Sequence, residues 1–224
     1  MRDENGDGDY YCGINNLKME NNIRGYWEDI YCTKDFNEVS WYQENPKTSV
    51  DLILSTNTDK DANIIDIGGG DSRLVDKLLE LNFRNISVLD ISLKALEKAQ
   101  QRLGEKAKIV KWINSDLREF ETSDKFDIWH DRALFHFLTS KKDIDRYVEL
   151  VKKILKPNGY LIIGTFSLEG PEKCSGLKVK RYSKNSIGKV FSKGFRYIKS
   201  LEEMHHTPFQ TTQSFIYNVF EKVE

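Results

Sequence analysis

A chain of 224 residues with 34 Lys and Arg against 35 Asp and Glu carries a formal net charge of −1, which removes the broad basic footprint of a general nucleic-acid or anionic-membrane binder. No apolar run approaches the roughly 20 residues needed to cross a bilayer, and the opening MRDENGDGDYYCG lacks the basic-then-apolar order of a secretory signal. Cys12, Cys32 and Cys174 are odd in number and form no CxxC pair, so neither a disulfide framework nor a zinc knuckle is expected, and the chain reads as a cytoplasmic protein with reduced thiols.

Residues 1–22 are rich in Asp, Asn, Glu and Gly with little to bury, and read as a mobile leader to a single domain over 23–224. In GYWEDIYC, the pairs Tyr26/Ile30 and Trp27/Tyr31 stand at i,i+4 spacing, which predicts a short helix with an aromatic face. After the loop TKDFNEVSWYQENP, Pro46 suits the first turn of a helix PKTSVDLILST. An alternation follows: strand 63–68, helix 71–81, strand 86–91, helix 93–103 with Ser92 as N-cap, then strands 109–114 and 126–129. The segment KKDIDRYVELVKKILK carries Ile144, Tyr147, Val148, Val151, Ile154 and Leu155 on one stripe, stops at PNG, and leads into the strand YLIIGTF. Beyond it come a polar loop SLEGPEKCSGLKVKRYS, a helix near 185–191, and two strand-like runs, FRYIKSLEEM and QSFIYNVFEKV, expected to close the sheet as an antiparallel pair. Alternating strands and helices predict an α/β fold on a largely parallel sheet.

The stretch IIDIGGGDS places three glycines at the first strand-to-helix turn, where open α/β sheets collect ligands. Glycine there allows positive φ and close approach of a ligand to main-chain amides, against the alternative that the turn is merely tight. The dinucleotide fingerprint G-x-G-x-x-G fails, because counting from Gly68 gives Gly70 and then Arg73; no Walker lysine follows either. A nucleoside without phosphates remains. Asp90, closing the next strand in SVLDIS, can accept from both ribose hydroxyls, and Asp116 in NSDL can accept an amino proton from a base beside Leu117.

In this order and spacing, IIDIGGGDS, VLDIS, NSDL, FDIWHDRALFHFL and LKPNGYLIIGTF resemble the successive motifs of class I S-adenosylmethionine-dependent methyltransferases over roughly residues 63–166. The resemblance implies a Rossmann-like, doubly wound seven-stranded sheet, six strands parallel and one antiparallel, with helices on both faces. It further implies S-adenosyl-L-methionine as cofactor, with Asp66 and Gly68, Gly69 and Gly70 at the methionine end, Asp90 and Ile91 at the ribose, and Asp116 and Leu117 at the adenine. Ser72 stands where a glycine is common in the family. GYWEDIY and EVSWYQ are similar to segments preceding the sheet in several protein-lysine methyltransferases, which implies that Trp41 and Tyr42 roof the cofactor.

Methyl transfer from a sulfonium is an in-line displacement, and the end of the fourth strand offers His130, Asp131, Arg132 and His136 as catalytic candidates. HDRA resembles the Asp-Arg pair of thiopurine and tellurite methyltransferases more than the Asp-Lys-Gly of lysine-modifying relatives. His130 and His136 read equally well as packing histidines, and Arg132 as a salt-bridge partner of Asp131. His205, His206 and Cys174 form no complete ligand set, so no metal is expected. The loop SLEGPEKCSGLKV starts on the ligand side and suits a lid. The expected partner is a methyl acceptor, either a small molecule or a protein, with no nucleic acid and no membrane. A catalytically silent cofactor-binding module and a nicotinamide oxidoreductase are the alternatives, the second weakened by the missing third glycine.

Overall fold

The computed structural model describes residues 22–223, so the expected leader lies outside the described residues except for Asn22. Asn22 caps α1 (Ile23–Thr33), its Oδ1 accepting from Gly25 N at 2.9 Å. A loop leads to α2 (Lys47–Leu54), and the alternation then runs β1 (Asn63–Ile67), α3 (Leu74–Glu80), β2 (Asn85–Asp90), α4 (Leu93–Leu103), β3 (Val110–Asn114), β4 (Phe126–Arg132), α5 (Lys141–Ile154) and β5 (Leu155–Phe166). A two-strand hairpin, β6 (Lys173–Cys174) and β7 (Leu177–Lys178), precedes α6 (Lys184–Val190), β8 (Phe195–His206) and β9 (Thr212–Lys222).

Seven strands form one sheet in the order β3-β2-β1-β4-β5-β9-β8. β1 to β5 pair parallel, β9 lies antiparallel between β5 and β8, and the expected closing pair is therefore inserted with its second strand innermost. Side chains of period two feed two cores. Ile65, Ile67, Trp129, Leu161 and Ile163 meet α5 and α6 on one face, and Ile64, Val88, Ile128 and Ile162 meet α2, α3 and α4 on the other.

Element limits differ from expectation at several places; β5, for one, begins at Leu155 rather than Tyr160, directly after α5 ends at Ile154. β4 continues through His130, Asp131 and Arg132, because their backbones keep pairing with β1 and β5 although their side chains are polar. α3 starts at Leu74 rather than Asp71, since Ser72 N bonds Gly69 O at 2.8 Å and Ser72 Oγ accepts from Leu74 N at 3.1 Å, making residues 71–73 a turn. The polar loop after β5 is partly ordered as the β6–β7 hairpin, tied down by Arg181 to the carbonyls of Leu168 and Gly170 at 2.9 and 3.2 Å.

The glycine turn is braced from α4. Arg102 forks onto Asp76 at 2.9 and 3.0 Å, pairs with Asp71, and donates to the Ser72 carbonyl at 2.9 Å. These side chains are only 12–18% exposed. Removing one member of so covered a pair leaves charge stranded, so Arg102→Met is expected to lower unfolding free energy by about 3 kcal/mol in urea titration.

Candidate active site

Because β1 to β4 run the same way, the segments that follow them converge at one edge. Gly68, Asp90, Ile91, Asp116, Leu117 and Ala133 line a cleft of about 410 Å³ there, within the range of small-molecule sites. A narrower compartment of about 60 Å³ adjoins it, reaching Asp66, His130, Ser49 and Arg73.

Gly68 and Gly70 take φ of +67° and +47°. The space a side chain would fill is met by protein: a Cβ on Gly68 would lie 2.7 Å from Leu134, on Gly69 2.6 Å from the Asp66 carboxylate, and on Gly70 2.7 Å from the Tyr31 hydroxyl. The amides of Gly68 and Gly69 bond the Leu89 carbonyl at 2.7 and 3.2 Å. The three glycines are therefore required by close packing of the turn on its own neighbours, and the open volume lies beside them, toward Asp90 and Asp116.

Asp90 closes β2 at the edge of the cleft. It is 6% exposed, and its carboxylate accepts from Ser92 N at 2.8 Å and from the Gly70 amide. Burial, aided by the charges of Asp66 and Glu28, pushes its carboxyl up to about 7. Burial would also raise Asp116, but the Arg118 fork at 2.5–3.0 Å outweighs it and holds that carboxyl below the usual range. An ionised Asp116 is an acceptor only, as a base amino group requires, and the buried Leu117 beside it offers an apolar wall.

The roof comes from the N-terminal segment. Trp41 lines both compartments, whereas Tyr42 lines only the narrow one and packs on Phe36, with ring centroids 5.2 Å apart. Trp27 and Tyr31 join Trp41 over the cleft. The sequence marked their aromatic spacing but not their place in the site. Polar contacts fix the helix that carries them: Glu28 accepts from Ser92 Oγ, Leu93 N and Lys94 N at 2.7–3.1 Å, and Arg24 donates to the Ile91 carbonyl at 2.7 Å. At the far side, Tyr26 donates to the Ser175 carbonyl of the β6–β7 hairpin, which carries Cys174 and Leu177 into the cleft wall.

The four catalytic candidates do not form one constellation, because neighbours on a strand face opposite ways. Asp131 points to the α5 face, fully buried, accepting from Tyr147 Oη at 2.8 Å and from the amides of Leu134 and Phe135. Burial raises its carboxyl to about 6. Arg132 makes no ion pair with it. His130 points to the α2 face with both ring nitrogens engaged, Nδ1 to Asp66 at 2.7 Å and Nε2 to Ser49 Oγ at 2.9 Å. His136 packs among Phe137 and Phe166 with no exposed surface, and burial, with the nearby Arg132 charge, lowers it to about 3. Of the four, Arg132 alone reaches the larger cleft. His205 Nε2 donates to the Ser40 carbonyl at 2.8 Å, and His206 is exposed. No helix among the described residues is long and apolar enough to cross a membrane.

Sheet order, the glycine turn and the two strand-end carboxylates define a nucleoside-binding α/β domain built for group transfer. A methyltransferase-domain family model matches residues 58–222, and the chain belongs to that family: it is an S-adenosylmethionine-dependent methyltransferase. It is 26% identical over 220 residues to EEF1A lysine methyltransferase 2 of Danio rerio, covering 88% of this chain and 86% of that one. Among solved structures it is similar to the N-methyltransferase NodS of Bradyrhizobium japonicum with S-adenosyl-L-homocysteine (TM-score 0.68, 16% identity, 90% and 99% of the chains covered). It is also similar to a protein solved in work on conversion of a disulfide bond into a thioacetal group during echinomycin biosynthesis (TM-score 0.74, 15% identity, 89% and 93% covered).

Proposed function

We propose that the chain methylates an amine, the side chain of a lysine in a protein. The observation that carries this reading is the aromatic wall of the cleft: Trp27 makes edge contacts with Trp41 and Phe137, ring centroids 5.8 and 5.3 Å apart. Such a wall suits the methylenes of a lysyl chain. The similarity to a lysine methyltransferase over most of both chains supports the same choice, and NodS is likewise named an N-methyltransferase.

Asp90 and Asp116 hold the nucleoside, and Asp66 with the glycine turn holds the methionyl end. When bound, S-adenosylmethionine supplies a sulfonium methyl group. Trp27, Trp41 and Phe137 would hold the acceptor amine in line with that methyl group, so that its bond to carbon would form as the carbon–sulfur bond broke and the proton of the product ammonium would pass to water. His130 and Asp131 serve the scaffold and His136 is too weakly basic, so the reaction proceeds without a histidine base. Apolar walls favour the neutral, nucleophilic amine over ammonium, and holding it in line supplies about 7–11 kcal/mol of barrier reduction.

The test is methyl-labelled cofactor added to native cell extract with the purified chain, followed by peptide mass spectrometry. Label confined to small molecules, or to oxygen or sulfur, overturns the reading. With a lysine substrate in hand, Trp27→Ala is expected to cut kcat/KM by about tenfold or more.

A further inference from the structure

Arg132 ends β4 at the seam between the two compartments. Of the four residues that line both, Tyr31, Trp41, Gly68 and Arg132, it is the charged one. Its guanidinium is fixed from several sides: Nε donates to Tyr217 Oη at 2.9 Å, Nη1 to the Trp41 carbonyl at 2.9 Å, and Cζ lies 4.7 Å from the Phe215 ring centre. Nη2 is buried with no hydrogen-bond partner. Two unanswered N–H bonds on a buried guanidinium nitrogen are costly; a guanidinium edge matches the planar fork of a carboxylate or a phosphate, and the cofactor of this family carries no phosphate.

The other side of Arg132 leads to Asp66. Gly164 faces Arg132 across the β4–β5 ladder and Tyr217 across the β5–β9 ladder, and a Cβ there would lie 2.8 Å from the Tyr217 ring. Tyr217 thus crosses β5 to reach Arg132, and Ser49 lies within reach of its side chain. Ser49 bonds His130, and His130 bonds Asp66. With Asp66 as the carboxylate and one proton on the imidazole, a single assignment satisfies every link. Arg132 donates to Tyr217, Tyr217 to Ser49, Ser49 to His130, and His130 to Asp66. A half-buried cation and a buried anion, both lining the narrow compartment, thereby stand at the ends of one directional chain.

We propose that Arg132 binds a carboxylate at this seam and that the chain through Tyr217, Ser49 and His130 positions it relative to Asp66. The methionyl end of the cofactor carries one ammonium and one carboxylate, the complement of Asp66 and Arg132, and is the favoured source; a carboxylate on the acceptor shares the same chemistry. The proposal rests on the reading of the cleft as the cofactor site.

The experiment is calorimetric titration of the full chain with S-adenosylhomocysteine and with 5′-methylthioadenosine, which lacks the amino-acid end. Arg132→Gln is expected to weaken the first by about tenfold or more while leaving the second within about twofold, and Ser49→Ala to give a smaller loss with the same selectivity. If the variant binds S-adenosylhomocysteine normally, acetate is titrated into each complex; saturable acetate binding by the native complex alone assigns the carboxylate to the acceptor. Equal weakening of both nucleosides, or no change together with no acetate binding, overturns the proposal. Failure of the native chain to bind either nucleoside overturns the cofactor-site reading and the proposal with it. Arg132→Lys, which keeps the charge but loses the fork, replaces the glutamine variant if that does not fold.

Discussion

Asp90→Ala is expected to weaken S-adenosylhomocysteine binding by about a hundredfold or more, because two hydrogen bonds to a charged acceptor contribute about 1.5–3 kcal/mol each. The same carboxyl gives binding a pH dependence. In the free protein burial lifts it to about 7, and the protonated form is the weaker acceptor for two ribose hydroxyls. Affinity therefore rises as pH increases through about 7 and levels off above it. Stability of the free protein runs the other way. A carboxyl raised on folding stabilises the fold fully below its unfolded value of about 4, and this contribution is lost as pH rises through about 7. Asp90→Asn should consequently melt higher than the native chain at pH 8 without ligand, while binding the nucleoside poorly. Calorimetry and thermal melts between pH 5.5 and 8.5 check both signs; a pH-independent affinity would contradict the assignment of Asp90 to the ribose.

Gly68→Ala is expected to lower stability by about 3 kcal/mol and to abolish cofactor binding. Its φ of +67° costs an L-residue about 1–2 kcal/mol, and the new methyl would meet Leu134 Cδ1 at 2.7 Å and Cβ at 2.9 Å. The Cβ contact is not the flexible tip of the side chain, so relief requires moving the segment that leaves β4, at an overpacking cost of about 1–3 kcal/mol. Chemical denaturation reads the first effect and titration with S-adenosylhomocysteine the second.

Much of this architecture was legible in the sequence wherever local chemistry marks its own boundaries. α4 falls on the expected 93–103 because Ser92 caps one end, accepting from Ala95 N at 3.1 Å, and Gly104 takes positive φ at the other. The carboxylates that close β2 and follow β3 were likewise readable, since a parallel sheet brings such positions to one edge. The expected end of the fourth strand at Trp129 fell short of Arg132 because strand extent and parity depend on pairing partners far along the chain. Ser49 lies 81 residues from His130, and Tyr217 85 residues from Arg132, and nothing local to the motif announces either. Trp27 and Tyr31 were visible as an aromatic stripe, but a stripe does not say whether it meets a core or a cleft.

α1 buries none of its residues fully and is latched by Glu28 on the amino end of α4 and by Arg24 on the Ile91 carbonyl. The charged part of that latch, helix dipole included, loosens when ions screen it. With the proposed cofactor site beneath that latch, the escape rate of the by-product nucleoside, followed by the fluorescence of Trp27 and Trp41 after rapid mixing, should quicken with added salt.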